Sequence, residues 1–162
     1  MQAILRNAIF GLALAAFAAA TTSVSAQSTE PVGIGSWKLN SEKSKFSPGP
    51  APKSLTVKFE SVGKGVKVTT DGVGADGKPN ATEYTANYDG KDNPLKGSPV
   101  ADTISLRRTN ALTTVRTDKK AGKVVQTLRR EIAKDGKSFT VTVKGTNAKG
   151  EPVNNHLVFE KQ

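Results

Sequence analysis

Arg130 is the residue whose type and position most clearly ask for chemistry. It sits between Leu128 and Ile132, in a stretch where alternate residues are apolar. A strand of period two turns one such set inward, and Arg130 belongs to that set. An inward guanidinium stays charged, so it requires either a protein carboxylate such as Glu83 or an anionic group on a ligand. A one-residue bulge in this strand would exchange Arg130 for Arg129. Arg108 follows Ile104 and Leu106 on a similar face but stands at a strand end, where a long side chain reaches water. Tyr84 and Tyr88 share a face with Ala86, which suits either core packing or hydroxyls that orient a ligand in a pocket.

Other chemistries are poorly provided for. His156 is the single histidine and there is no cysteine, so neither a zinc site nor a histidine-based triad nor a thiol nucleophile can be assembled. We expect no catalytic residues, no metal and no cofactor. Asn80-Ala81-Thr82 matches a glycosylation acceptor, a tripeptide frequent by chance.

The elements that must position these residues are short strands. Leu55, Val57 and Phe59 alternate with Thr56, Lys58 and Glu60, and Val66 and Val68 with Lys67 and Thr69; Gly63-Lys64-Gly65 turns between them. Further strands are expected around Tyr84 to Tyr88, at Ile104 and Leu106, and over Leu112 to Thr117, Val124 to Ile132, Phe139 to Val143 and Val153 to Phe159. Lys134-Asp135-Gly136-Lys137 is the clearest hairpin turn. The first strand runs from Gly33 to Asn40 and holds Trp37, the only tryptophan, which is expected to plug one end of a closed β structure. Ser41 to Lys53 is read as a stiff connector, because Pro48, Pro50 and Pro52 remove backbone donors. The expectation is an all-β, antiparallel up-and-down barrel of eight to ten strands, with a β-sandwich as the alternative.

A repeat at an offset of 73 residues supports two related halves. Leu55, Gly63, Lys64, Val68, Thr69, Gly72, Ala75, Gly77 and Pro79 recur as Leu128, Gly136, Lys137, Val141, Thr142, Gly145, Ala148, Gly150 and Pro152. By this repeat Arg130 takes the place of Val57.

The first 26 residues read as a secretory signal peptide: Arg6, an apolar run from Ala8 to Ala20, and Val24-Ser25-Ala26 before Gln27. The run is shorter than the roughly 20 residues a membrane-spanning helix needs. Residues 27–162 then form a single domain, periplasmic or secreted, with its first few residues loose. Loss of Arg6 with the leader takes the formal charge from +10 to +9. Lysines such as Lys64, Lys78 and Lys149 in turns, and Lys58 and Lys144 on strands, make this a solvated basic face that also protects sheet edges.

Gly35-Ser36-Trp37-Lys38-Leu39 resembles the G-x-W opening of lipocalins and fatty-acid-binding proteins, the calycin-type barrels. Gly122-Lys123-Val124 through Leu128-Arg129-Arg130-Glu131 and Asp135-Gly136-Lys137, with Val158-Phe159-Glu160-Lys161, is similar to the late strands of the fatty-acid-binding family. The W-K-L-N, Y-D-G-K and V-N-N segments also resemble small exported bacterial proteins of unassigned role, over nearly the whole mature chain. The fatty-acid-binding resemblance implies an interior arginine, matched by Arg130, that holds a ligand carboxylate. The family's second anchor, an R-x-Y pair on the last strand, is replaced by Leu157 and Phe159, which keep an apolar wall. Its helical lid is replaced by the proline-rich connector.

These readings converge on a non-catalytic binding protein that holds a small hydrophobic or amphiphilic anionic molecule. Arg130, Tyr84, Tyr88, Arg108 and Phe159 are its candidate ligand residues. The alternative is an envelope interaction protein with a packed core whose basic exterior docks on anionic polymers or lipopolysaccharide. Nucleic acid is not an expected partner, and no membrane span is expected.

Overall fold

The computed structural model describes residues 33–162, so the expected leader and the segment from 27 to 32 lie outside the described residues. Ten strands make up the fold: β1 (Gly35–Lys45), β2 (Ser54–Val62), β3 (Gly65–Val73), β4 (Pro79–Asn87), β5 (Asn93–Pro94), β6 (Thr103–Arg108), β7 (Thr113–Lys120), β8 (Lys123–Ile132), β9 (Ser138–Thr146) and β10 (Pro152–Lys161). No helix occurs among the described residues.

All pairings are antiparallel, and the sheet order is β4-β3-β2-β1-β10-β9-β8-β7-β6-β5. Every neighbour is consecutive in the chain except β1 and β10, which join the two arms at Trp37–Lys161 and Leu39–Phe159. The single sheet curls until its outer edges meet. Glu83 N–H donates to the Lys96 carbonyl at 3.1 Å, and Lys96 N–H donates back at 2.9 Å. The result is a nearly closed barrel, consistent with a calycin-like one, and not two packed sheets.

Gly97 lets this seam close. Its φ is +76°, and a Cβ there would sit 2.1 Å from the Ala81 carbonyl oxygen. Only glycine supplies both the left-handed backbone and the close approach.

Alternation sorts the side chains as period two requires. Trp37, Val57, Phe59, Val68, Tyr84, Leu106, Val141 and Phe159 are buried, whereas the ion pairs Lys58–Glu60, Lys67–Glu83 and Arg129–Glu131 lie on the outside. Trp37 is 1% exposed. Its indole N–H donates to the Gly33 carbonyl at 3.0 Å, and its ring meets Phe139 edge-on at 4.9 Å. Phe139 in turn stacks on Phe159 at 4.8 Å and meets Phe59 at 5.9 Å. This aromatic cluster forms the floor of the barrel, as the position of the tryptophan implied.

Several boundaries differ from expectation. β1 continues past Asn40 to Lys45 with a register shift on the way. Ser44 Oγ bridges that irregularity, donating to the Asn40 carbonyl at 2.6 Å and accepting from Val158 N–H at 2.9 Å. Most of this extension is exposed, so it carries no apolar alternation to read. The connector is therefore confined to Phe46–Lys53. It is tied to β10, with Ser47 N–H donating to Asn155 Oδ1 at 2.7 Å and Asn154 N–H to the Ser47 carbonyl at 2.8 Å. Tyr88 lies one residue beyond the end of β4.

The repeat is structural. It lays β2-β3-β4 onto β8-β9-β10, and the loops obey the same bonding. Gly74 N–H to Lys78 O (2.8 Å) and Gly77 N–H to Gly74 O (3.0 Å) match Asn147 N–H to Glu151 O (2.9 Å) and Gly150 N–H to Asn147 O (3.0 Å).

Candidate ligand cavity

The barrel encloses a cavity of about 430 Å³, within the range of sites that hold small molecules. The aromatic floor shuts one end. Asn80, Thr82, Gln126 and Asn155 mark the other, where the wall residues are half-buried or exposed and Pro48 of the connector leans over the rim. Between them the wall is apolar: Val57 and Val68 on one side, Leu128, Val141 and Leu157 on the other.

Arg130 lies deep in this wall and is 8% exposed. β8 presents it inward because Leu128, Arg130 and Ile132 keep strict alternation, paired to Val143, Val141 and Phe139 of β9 without a bulge. Its guanidinium carbon stands 4.3 Å from the Phe59 ring centroid and 5.8 Å from that of Phe139, close enough for cation–π attraction. The guanidinium also hydrogen-bonds the Tyr88 side chain. Burial pulls the Arg130 pKa below the usual arginine value, with the Tyr88 and Tyr84 hydroxyls opposing. Glu83, the carboxylate expected as a possible partner, points outward and pairs with Lys67 at 2.8 Å. The hydrogen bond and charge of Lys67 hold its carboxyl below the usual range.

One step nearer the mouth is a second guanidinium. Arg116 lines the cavity and pairs bidentately with Asp118, Nε to Oδ1 at 2.5 Å and Nη2 to Oδ2 at 2.7 Å. The Arg116 guanidinium also lies 4.8 Å from the centroid of the Tyr84 ring. Burial pulls the Arg116 pKa down, but Tyr84 and Asp118 outweigh it and the net direction is up. Burial pushes the Asp118 carboxyl up, with Arg116 pulling back; the two-pronged geometry is that of an ionised carboxylate. Burial also raises the Tyr84 pKa, against the pull of Arg116 and Arg130. Among the described residues lining the cavity there is no carboxylate; Asp118, the register partner of Gln126, is buried against Arg116.

Of the five expected ligand residues, Arg130, Tyr84, Tyr88 and Phe159 line the cavity together. Arg108 is not part of that wall. It lies against the Tyr88 ring at 4.5 Å, at the last position of β6. His156 is exposed on β10. Arg116 and Asp118 were not anticipated, although an Arg-x-Asp on a strand places opposite charges on one face at neighbouring positions. No group of three or more His, Cys, Asp or Glu that could hold a metal ion occurs among the described residues.

In comparisons with known proteins, no family model and no curated protein matches this chain.

Proposed function

We propose that this chain is an exported, non-catalytic binding protein that holds a small amphiphilic, anionic molecule inside its barrel. The observation that carries this reading is the 430 Å³ cavity, with an apolar wall, the Arg130 guanidinium at depth and no carboxylate among its described lining, the second guanidinium, Arg116, being paired with Asp118. Such a lining favours an anion at depth and hydrocarbon along the wall. The basic start, apolar run and small-residue site within residues 1–26 support export to the periplasm or beyond.

Native mass spectrometry of purified protein, searching for a copurified amphiphile, tests the reading directly. It is joined to titration with an anionic amphiphile such as octyl sulfate. Saturable, one-to-one uptake that persists in salt supports the proposal. Adhesion to acidic polymers that disappears with added salt, without uptake of octyl sulfate, points instead to a protein that works through its basic exterior.

A further inference from the structure

The mouth of the cavity differs chemically from its depth, and the difference specifies the other end of the ligand. On one side, Thr70 and Thr82 face each other across β3 and β4 as register partners, and Asn80 stands one inward position further out on β4. All three line the cavity. On the other side are Gln126 and Asn155, whose amides are oriented by the protein itself. Gln126 Nε2 donates to the Thr146 carbonyl at 2.7 Å, which leaves its Oε1 as an acceptor. Asn155 Oδ1 accepts from Ser47 N–H at 2.7 Å, which leaves its Nδ2 as a donor.

The Gln126 oxygen and the Asn155 amide hydrogens thus place an acceptor and a donor side by side, with no charge on either group. A hydroxyl both donates and accepts, so it suits both groups and the two threonines opposite. Gly145 lies beside Gln126 in the register, where the β8 backbone leaves no room for a side chain. Asn147, by contrast, is spent on its own loop: its Nδ2 donates to Glu151 Oε2 and its Oδ1 accepts from Lys149 and Glu151 N–H.

We propose that the mouth is a second subsite that takes a neutral, hydroxyl-bearing group such as a sugar or polyol, so that the physiological ligand is an amphiphile carrying one. This rests on the reading that the cavity holds a ligand, and it adds a site that does not involve Arg130.

Two probes with the same tail separate the claims: octyl glucoside, with a neutral sugar head, and octyl sulfate, with an anionic one. Binding to the full mature protein is measured by calorimetry, with circular dichroism checking each variant's fold. Wild type is expected to bind both. Thr70→Val with Thr82→Val should weaken octyl glucoside about tenfold, as two net hydrogen bonds of about 0.7 kcal/mol each imply, and leave octyl sulfate unchanged. Arg130→Leu should do the reverse. Binding of octyl sulfate but not octyl glucoside, or equal weakening of both probes by the threonine variant, overturns the mouth subsite alone. Binding of neither probe overturns the subsite and the cavity reading together.

Discussion

Arg116 and Asp118 stand two residues apart on β7, face the same way, and are joined by two hydrogen bonds inside the barrel. Asp118 is 3% exposed, so removing it strands a buried cation. Asp118→Ala should destabilise the fold by about 3–5 kcal/mol, whereas the double variant Arg116→Leu/Asp118→Leu should cost much less because no charge is left alone. Urea unfolding of both variants decides this. A double variant as unstable as Asp118→Ala would mean that the shape of the pair, and not its charge, is what the fold needs.

Arg130→Leu should weaken octyl sulfate by about 1.5–3 kcal/mol, the range for hydrogen bonds to a charged group. Stability should hold or rise, since an apolar side chain replaces a buried cation. Glu83→Gln is the control. Its carboxylate pairs with Lys67 outside the barrel, so octyl sulfate affinity should not move. Equal affinity in wild type and Arg130→Leu would remove Arg130 as the anchor.

The seam tolerates no side chain at Gly97. Gly97→Ala should cost more than the about 1–2 kcal/mol of a left-handed backbone alone, because its Cβ also meets the Ala81 carbonyl. Gly136→Ala shares the positive φ but meets nothing within 4 Å, so it isolates the backbone cost. Comparable losses for the two in thermal unfolding would show that the close approach does not matter.

Tyr84 links the interior to pH. Burial raises its pKa above 10.0 in the folded protein. The native state therefore holds the phenolic proton more tightly than the unfolded chain. Stability from this group is complete below about pH 10 and falls as pH rises from there through the folded pKa. Tyr84→Phe should flatten that alkaline loss, read from urea midpoints at a series of pH values. An unchanged alkaline slope would contradict it.

The barrel was legible because period two is a local property: each of Leu55–Phe59, Val66–Val68 and Leu128–Ile132 declares its inner face unaided. So was the inward turn of Arg130, since no bulge interrupts the β8–β9 pairing there. The Arg116–Asp118 pair went unread because Leu112 to Thr117 lacks a clean apolar alternation, so nothing told which of its polar residues point inward. Glu83 misled for a related reason. Its face follows from Tyr84 beside it, but its partner, Lys67 on the neighbouring strand, depends on a register that only the assembled sheet fixes. The mouth was hidden too, since Gln126 and Asn155 owe their orientation to Thr146 and Ser47, contacts distant in sequence.

The duplicated halves have a stereochemical consequence. Tyr84 of one half corresponds to Leu157 of the other, Thr70 to Val143, and Val57 to Arg130, so two similar walls carry different functional groups. Poses that exchange these repeat-related positions are therefore unequal in energy. A guest held there would be given one orientation by the side chains, a choice that the repeated backbone leaves open.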